Sequence, residues 1–143
     1  NIGVIPYTYA PYDGYYTFGR FDGKKFDLSL ARPYRIKTYA RLTNIDDMCR
    51  CLVQHGPFAM GVQVTDEFVN VDESGYIPVH YSSVREGHCV AVVGYDSKEN
   101  TFLIVNSWGE GWGNKGTAKL PFLYWERFGM DAWGIVDVTP NEA

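Results

Sequence analysis

Two kinds of side chain in this sequence can do nucleophilic or acid–base chemistry near neutral pH. They are three histidines (His55, His80 and His88) and three cysteines (Cys49, Cys51 and Cys89). His88 stands apart by its surroundings. It opens an apolar, β-branched run to Tyr95; a polar turn, Asp96–Asn100, follows, and then a second apolar run, Thr101–Asn106. That pattern predicts a β-hairpin. With its turn centred near Ser97-Lys98, His88 faces Trp108 and Val90 faces Asn106. His88 and Asn106 are then diagonal neighbours on one face, with Cys89 on the other. A slip of one residue would undo the arrangement. An imidazole held by a neutral amide and roofed by an indole has the parts of a general base. The amide oxygen fixes one ring nitrogen and leaves the other free for a nucleophile, and the indole keeps water off the hydrogen bond.

The remaining chemistry-bearing residues read more plainly. His55 ends a helix, where a cation suits the dipole, and His80 sits in a polar loop. No C-x-x-C or H-x-x-x-H spacing occurs, so no metal and no cofactor is expected. Three cysteines are an odd, low number for a disulfide framework and lean towards a reducing compartment. Cys49 and Cys51 lie two apart on a helix, pointing to different sides.

These residues need elements to carry them. A strand is expected over Tyr34–Leu42, then a helix capped by Thr43 or Asn44 and running to about His55, where Gly56-Pro57 stops it. Asp46 and Asp47 suit its first turn. Ile45, Met48, Cys51 and Leu52 form its apolar face. Phe58–Thr65 alternates as a strand. Asp66–Ser74 reads as a loop or short helix, and Gly75–Val79 as a short strand. After the hairpin come a Gly/Trp loop, Ser107–Lys115, a strand at Gly116–Leu120, a short helix at Pro121–Phe128 and a strand at Ala132–Val138. The expected class is α+β: an antiparallel, barrel-like sheet with one main helix. Residues 1–33, rich in Tyr, Gly, Pro and Asp, read as an irregular connecting arm, and residues 34–143 as the domain.

Composition bounds the rest. The chain has 143 residues, 45% of them hydrophobic and 21% charged, so it suits one globular domain and not a disordered tract. Its net charge of −4 and lack of a basic tract argue against nucleic acid as a partner. Apolar runs such as Val90–Val93 fall far short of the roughly 20 residues of a membrane helix. No signal-peptide layout opens the chain. Asn1 stands first instead of a methionine, which suggests a processed piece.

Gly87-His88-Cys89-Val90-Ala91-Val92-Val93-Gly94-Tyr95 resembles the histidine strand of papain-like cysteine peptidases. Asn106-Ser107-Trp108-Gly109-Glu110-Gly111-Trp112-Gly113, with Gly116 after it, resembles their asparagine loop. Gly56-Pro57-Phe58-Ala59-Met60-Gly61-Val62 resembles the segment where a helix hands over to the first barrel strand. The resemblance is specific over about residues 44–120, and the Pro121–Trp133 tail looks more like bacterial or viral members than lysosomal ones. It implies that the domain is the right-hand, barrel half of the papain fold. His88 would be the general base and acid, Asn106 its orienting residue and Trp108 the cover of their contact. Trp112 would flank the leaving-group side of the cleft. Gly61 and Cys89 would line the pocket for the substrate residue just before the scissile one, and Gly87 would sit on the cleft wall.

One part of the family pattern is missing. Its nucleophile lies in a Gln-x-x-x-x-x-Cys-Gly-Ser-Cys-Trp segment, and nothing here resembles it. The family's His and Asn follow that Cys by about 130–150 residues, which places it roughly 40–60 residues before Asn1. The reading that follows is the C-terminal chain of a two-chain cysteine endopeptidase. An N-terminal chain would supply the Cys and the oxyanion-hole Gln, and the substrate would be a peptide or protein. An inactive papain-like module with a binding or assembly role is the alternative. Cys89 as a relocated nucleophile is a third option, set back by its place on the opposite face from His88.

Overall fold

The computed structural model describes residues 36–80 and 83–137, together with Ser29. The expected arm at 1–33 therefore lies outside the described residues, Ser29 excepted. The chain divides into two compact units, Asn1–Tyr39 with Val136–Ala143, and Ala40–Ile135. The second unit holds every candidate residue named above.

Among the described residues, six strands and three helices follow in the order β1 (Ile36–Arg41), α1 (Ile45–Gln54), β2 (Phe58–Thr65), α2 (Asp66–Val69), β3 (Val84–Asp96), β4 (Thr101–Val105), β5 (Thr117–Pro121), α3 (Phe122–Phe128) and β6 (Gly129–Asp137). The strands form one sheet in the order β1-β6-β2-β3-β4-β5. The class is α+β, and the pairings of β2 with β3 and β6, and of β4 with β3 and β5, are all antiparallel. The sheet is open, with β1 and β5 at its two ends.

Local chemistry sets most element boundaries. The Asn44 side chain accepts from the Asp47 backbone N–H at 2.8 Å, which starts α1 and contributes about 1 kcal/mol. Asp46 and Asp47 occupy its first turn, where acids complement the dipole. Met48 and Cys51 are its buried residues. Cys51 explains a glycine across from it: a Cβ at Gly134 would stand 2.9 Å from the Cys51 sulfur. Along β2, Phe58, Met60, Val62 and Val64 are buried. They meet Val90 and Val92 of β3, Phe102 and Ile104 of β4, and Ala118 and Leu120 of β5 in one apolar core.

Three elements differ from expectation. β3 begins at Val84 instead of His88. Its added residues, Val84 to Gly87, are exposed and show no apolar pattern; they are held extended by pairing with the long β2, as Gln63↔Gly87 and Thr65↔Val84 show. Gly75–Val79 is not a strand: Tyr76 makes one isolated bridge to Lys119. β6 starts at Gly129, directly at the end of α3, with no linker to mark the change.

β2 and β3 also change register between Gln63 and Thr65, which takes their backbone groups out of the ladder. Tyr124, on α3, takes them up. Its hydroxyl donates to the Gln63 carbonyl at 2.8 Å and accepts from the Thr65 N–H at 3.3 Å. Thr65 then caps α2, its side chain accepting from the Phe68 N–H at 3.3 Å. A tyrosine from the far end of the chain thus fixes where Phe68 enters the core.

Candidate functional site

His88 lies on β3 opposite Val62, whose side chain is fully buried. Partners in an antiparallel pair share a face, so His88 is on the core face, at the end where the core opens to solvent. Its depth depends on an irregularity in β3. Next to the turn the pairs are Asp96↔Thr101, Tyr95↔Phe102 and Gly94↔Leu103; beyond the shift they are Val92↔Ile104 and Ala91↔Val105. Val93 is the extra residue, a β-bulge. Without it, His88 would stand in the frame of Gly109. With it, the frame is the one in which Asn106 comes within reach of His88.

Asn106 begins the loop after β4. Its backbone N–H donates to the Gly116 carbonyl at 2.9 Å, and the Gly116 N–H donates to the Trp112 carbonyl at 2.8 Å. Gly116 has φ +84°, a left-handed conformation that favours glycine. The loop is therefore closed on itself and presents Asn106, Trp108 and Trp112 from a fixed base.

The Asn106 side chain has one available orientation. The Ser107 backbone N–H lies 2.8 Å from Oδ1 and can only donate, so the atom there is the oxygen. That same oxygen is 2.8 Å from His88 Nε2. The imidazole must then donate from Nε2, and in the neutral ring Nδ1 is left as the proton acceptor. Asn106 is nine-tenths buried, and its Nδ2 has no acceptor among the described residues.

Aromatic rings surround the pair. The Trp108 ring stacks on His88 with centroids 4.8 Å apart and planes 33° from parallel. Phe68, fully buried, meets His88 edge-on at 6.2 Å and Trp108 edge-on at 5.6 Å, and packs on Trp112 at 5.2 Å. Trp112 is buried, and its indole N–H donates to the Phe68 carbonyl at 2.9 Å. Of the two indoles, Trp108 is the one that reaches solvent. Excluding water on this side strengthens the His88–Asn106 hydrogen bond.

Gly61, Gly87 and Cys89 fall on the other face. Gly61 pairs with Cys89, and Gln63 with Gly87. Cys89 is exposed there, adjacent to His88 in sequence but separated from it by the sheet. Cys49 and Cys51 are on α1. Burial raises both thiols above their ordinary pKa, with Asp46 adding to the effect at Cys49. At pH 8, iodoacetamide is expected to modify Cys89 at least about tenfold faster than either of them. Peptide mapping by mass spectrometry reads the order, and prior modification of Cys51 would contradict it. Among the described residues, no group of three His, Cys, Asp or Glu side chains could hold a metal ion.

Phe68, against the His88–Asn106 pair, and Asp131 and Met130, beside Gly61 on the other face, are residues that sequence reasoning missed. Phe68 belongs to a four-residue helix with no period to read. Asp131 and Met130 reach the neighbourhood of Gly61 only through the pairing of β6 with β2.

The sheet thus carries a His–Asn hydrogen-bonded pair at one end of β3 and β4, with an indole over the imidazole. The model of the papain family of cysteine proteases matches residues 4–123, and the chain belongs to that family. It is 34% identical over 116 residues to an uncharacterized peptidase C1-like protein of Acanthamoeba polyphaga mimivirus, a match covering 71% of this chain and 37% of that protein. It is 34% identical over 95 residues to cathepsin O of Mus musculus, covering 64% and 28% respectively. Among solved structures, xylellain, a cysteine protease from Xylella fastidiosa, superposes with a TM-score of 0.78 at 27% identity, covering 96% of this chain and 58% of that one. The chain thus spans about a third of the length of these curated relatives.

Proposed function

We infer that this chain supplies the acid–base half of a cysteine endopeptidase, with the nucleophilic Cys and the oxyanion-hole Gln on a separate N-terminal chain. The observation that supports this reading is the fixed proton position on His88, with Nε2–H committed to Asn106 and Nδ1 free. A thiol opposite Nδ1 would pass its proton there, giving a thiolate–imidazolium pair. The thiolate attacks a peptide carbonyl, and the imidazolium protonates the leaving amine. Nδ1 then takes a proton from water as that water attacks the thioester, which releases the carboxylic acid and regenerates the thiol pair. Asn106 keeps the ring in one orientation through both steps. Cys89 is not opposite Nδ1, since it projects from the other face.

Mass spectrometry of native material, combined with a thiol-reactive peptide electrophile, tests the reading. The expected result is a co-purifying chain labelled at one cysteine in stoichiometric amount, with labelling lost in His88→Ala. If no companion chain is present, or if labelling is unaffected by His88→Ala, the chain is an inactive papain-like module with a binding or assembly role. Activity of the isolated chain, abolished by Cys89→Ser, would point to Cys89 itself.

A further inference from the structure

β6 pairs with β2 only as far as Val62, opposite Gly129. On the other side, two steps along β2, from Gln63 to Thr65, match three along β3, from Gly87 to Val84. Gln63–Thr65 thus has no β6 neighbour and an irregular β3 neighbour, directly after Val62, the partner of His88. The Tyr124 hydroxyl serves this segment in place of a strand. It donates to the Gln63 carbonyl at 2.8 Å, accepts from the Thr65 N–H at 3.3 Å and lies 3.4 Å from the Thr65 hydroxyl. Tyr124 is fully buried. A phenylalanine would fill the same space without burying a polar group, so the hydroxyl and the two backbone groups depend on one another. Burial raises the hydroxyl above its ordinary pKa, so it keeps its donor proton well past neutral pH.

Two routes lead from Tyr124 to His88. Along the backbone, Gln63 follows Val62, which is paired with His88. Through side chains, the Tyr124 ring packs on the Phe68 ring with centroids 6.1 Å apart, and Thr65 caps α2 by accepting from the Phe68 N–H. Phe68 in turn meets His88 and Trp108 edge-on. A helix of four residues cannot hold itself in place. Trp112 holds the Phe68 carbonyl, on the far side of Phe68 from its cap. On the outside, Arg85 Nε donates to Asp66 Oδ1 at 2.6 Å. Both partners of that ion pair are about half exposed, so water screens it and it contributes little. The approach from β2 into α2 is therefore held mainly from within, by Tyr124.

We propose that Tyr124 is a positioning residue for His88: its hydroxyl fixes the Gln63–Thr65 segment, its ring backs Phe68, and together they hold the imidazole on Asn106. Without the hydroxyl, the Gln63 carbonyl and the Thr65 N–H lose a buried partner. They regain one by turning to water, which draws Thr65 and the start of α2 outward and takes Phe68 with them. The imidazole then loses its inner support and rocks away from Asn106 Oδ1. Its proton is no longer committed to Nε2, and Nδ1 is no longer held in one direction. The proposal rests on the peptidase reading only for what this does to a reaction rate; the placing of the ring is a property of the chain itself.

Two experiments separate the proposal from that reading. In the first, the 143-residue chain is isotopically labelled at its histidine nitrogens, and the two ring nitrogens of His88 are followed by NMR through the carbon-bound ring protons at about pH 8. A proton fixed on Nε2 keeps the two shifts fully separated, and exchange between tautomers narrows the gap. Tyr124→Phe is expected to narrow it by at least about a tenth. Thr65→Val, which removes the α2 cap, should act in the same direction. Phe102→Leu weakens the same core beside the 96–100 turn and should leave the gap unchanged. An unchanged gap in Tyr124→Phe, or an equal narrowing in Phe102→Leu, overturns the proposal. Where Tyr124→Phe does not fold, an unchanged gap in Thr65→Val overturns it instead. In the second experiment, the two-chain enzyme proposed above is assayed on a peptide. Tyr124→Phe is expected to lower kcat about tenfold with KM within about twofold, whereas a loss confined to stability leaves kcat per folded molecule unaltered. Unaltered kcat overturns the role of Tyr124 and leaves the peptidase standing. No cleavage by the unaltered protein, with the ring shifts still dependent on Tyr124, refutes the peptidase reading and upholds the placing of His88.

Discussion

In the two-chain enzyme proposed above, His88→Ala is expected to lower kcat for peptide hydrolysis by about 10³–10⁴-fold at neutral pH, with KM little changed. On that proposal the imidazole serves the chemistry twice, as proton acceptor for the thiol and as proton donor to the leaving amine. In that role it moves protons and does not hold the ground state, so KM is expected to change little. Asn106→Ala should be milder, about 100-fold, since it frees the ring without removing it. It also leaves the Nε2–H donor without its acceptor. Asn106→Asp gives a signature that a merely structural residue would not. A carboxylate beside Nε2 favours the charged ring, so the imidazolium persists to higher pH. The alkaline limb of the kcat profile, where the leaving amine loses its proton donor, then moves to higher pH. Steady-state kinetics against pH read all three variants. Unchanged kcat in His88→Ala, or an alkaline limb moved down in Asn106→Asp, would be incompatible with these roles.

The largest loss of stability is expected from Phe68→Ala, about 3–5 kcal/mol by denaturant titration. Phe68 is fully buried and touches four aromatic partners, His88, Trp108, Trp112 and Tyr124. Its helix has only four residues, so there is no surrounding turn to close the cavity. The Trp112 indole keeps its hydrogen bond, because it donates to the backbone carbonyl of residue 68. The loss therefore falls on packing. Trp108, already two-fifths exposed, loses its inner support, and its fluorescence should move to longer wavelength. Phe68→Leu keeps most of the volume and should cost clearly less. A loss below about 1 kcal/mol for the alanine variant would mean that Phe68 is not the buttress its contacts describe.

Much of this site can be read along the chain. The apolar run at 88–95, the turn and the run at 101–106 place His88 and Asn106 in one hairpin, because short-range pairing is set by a local turn. In the structure the turn is held by Asp96, whose carboxylate accepts from the N–H groups of Lys98 and Glu99 at 2.8 and 3.1 Å. Those bonds hold the Asp96 carboxyl below its ordinary pKa. Asn100 follows with φ +53°. What the alternation does not mark is the bulge at Val93. An apolar residue sits there as at Val92, and the extra residue is tolerated because Val93 itself points to solvent while Val92 stays buried. The expected facing of His88 and Trp108 used the frame that applies beyond the bulge, although the turn itself is one residue out of that frame.

The sequence by itself determined the elements whose causes are local: the Asn44 cap and apolar face of α1, the alternating β2, the hairpin, and the His88–Asn106 spacing that depends on it. Tertiary structure alone decided which distant segments meet there. Tyr124 takes up the irregularity after Gln63, Phe68 turns inward beneath the imidazole, and β6 enters between β1 and β2 to lay Asp131 over Gly61. The physical reason is the range of the signals. Caps, turns and alternation act over a few residues and leave a mark in composition. Strand neighbours and bulges are selected by the packing of the whole sheet, where many sequences of the same pattern would pair equally well.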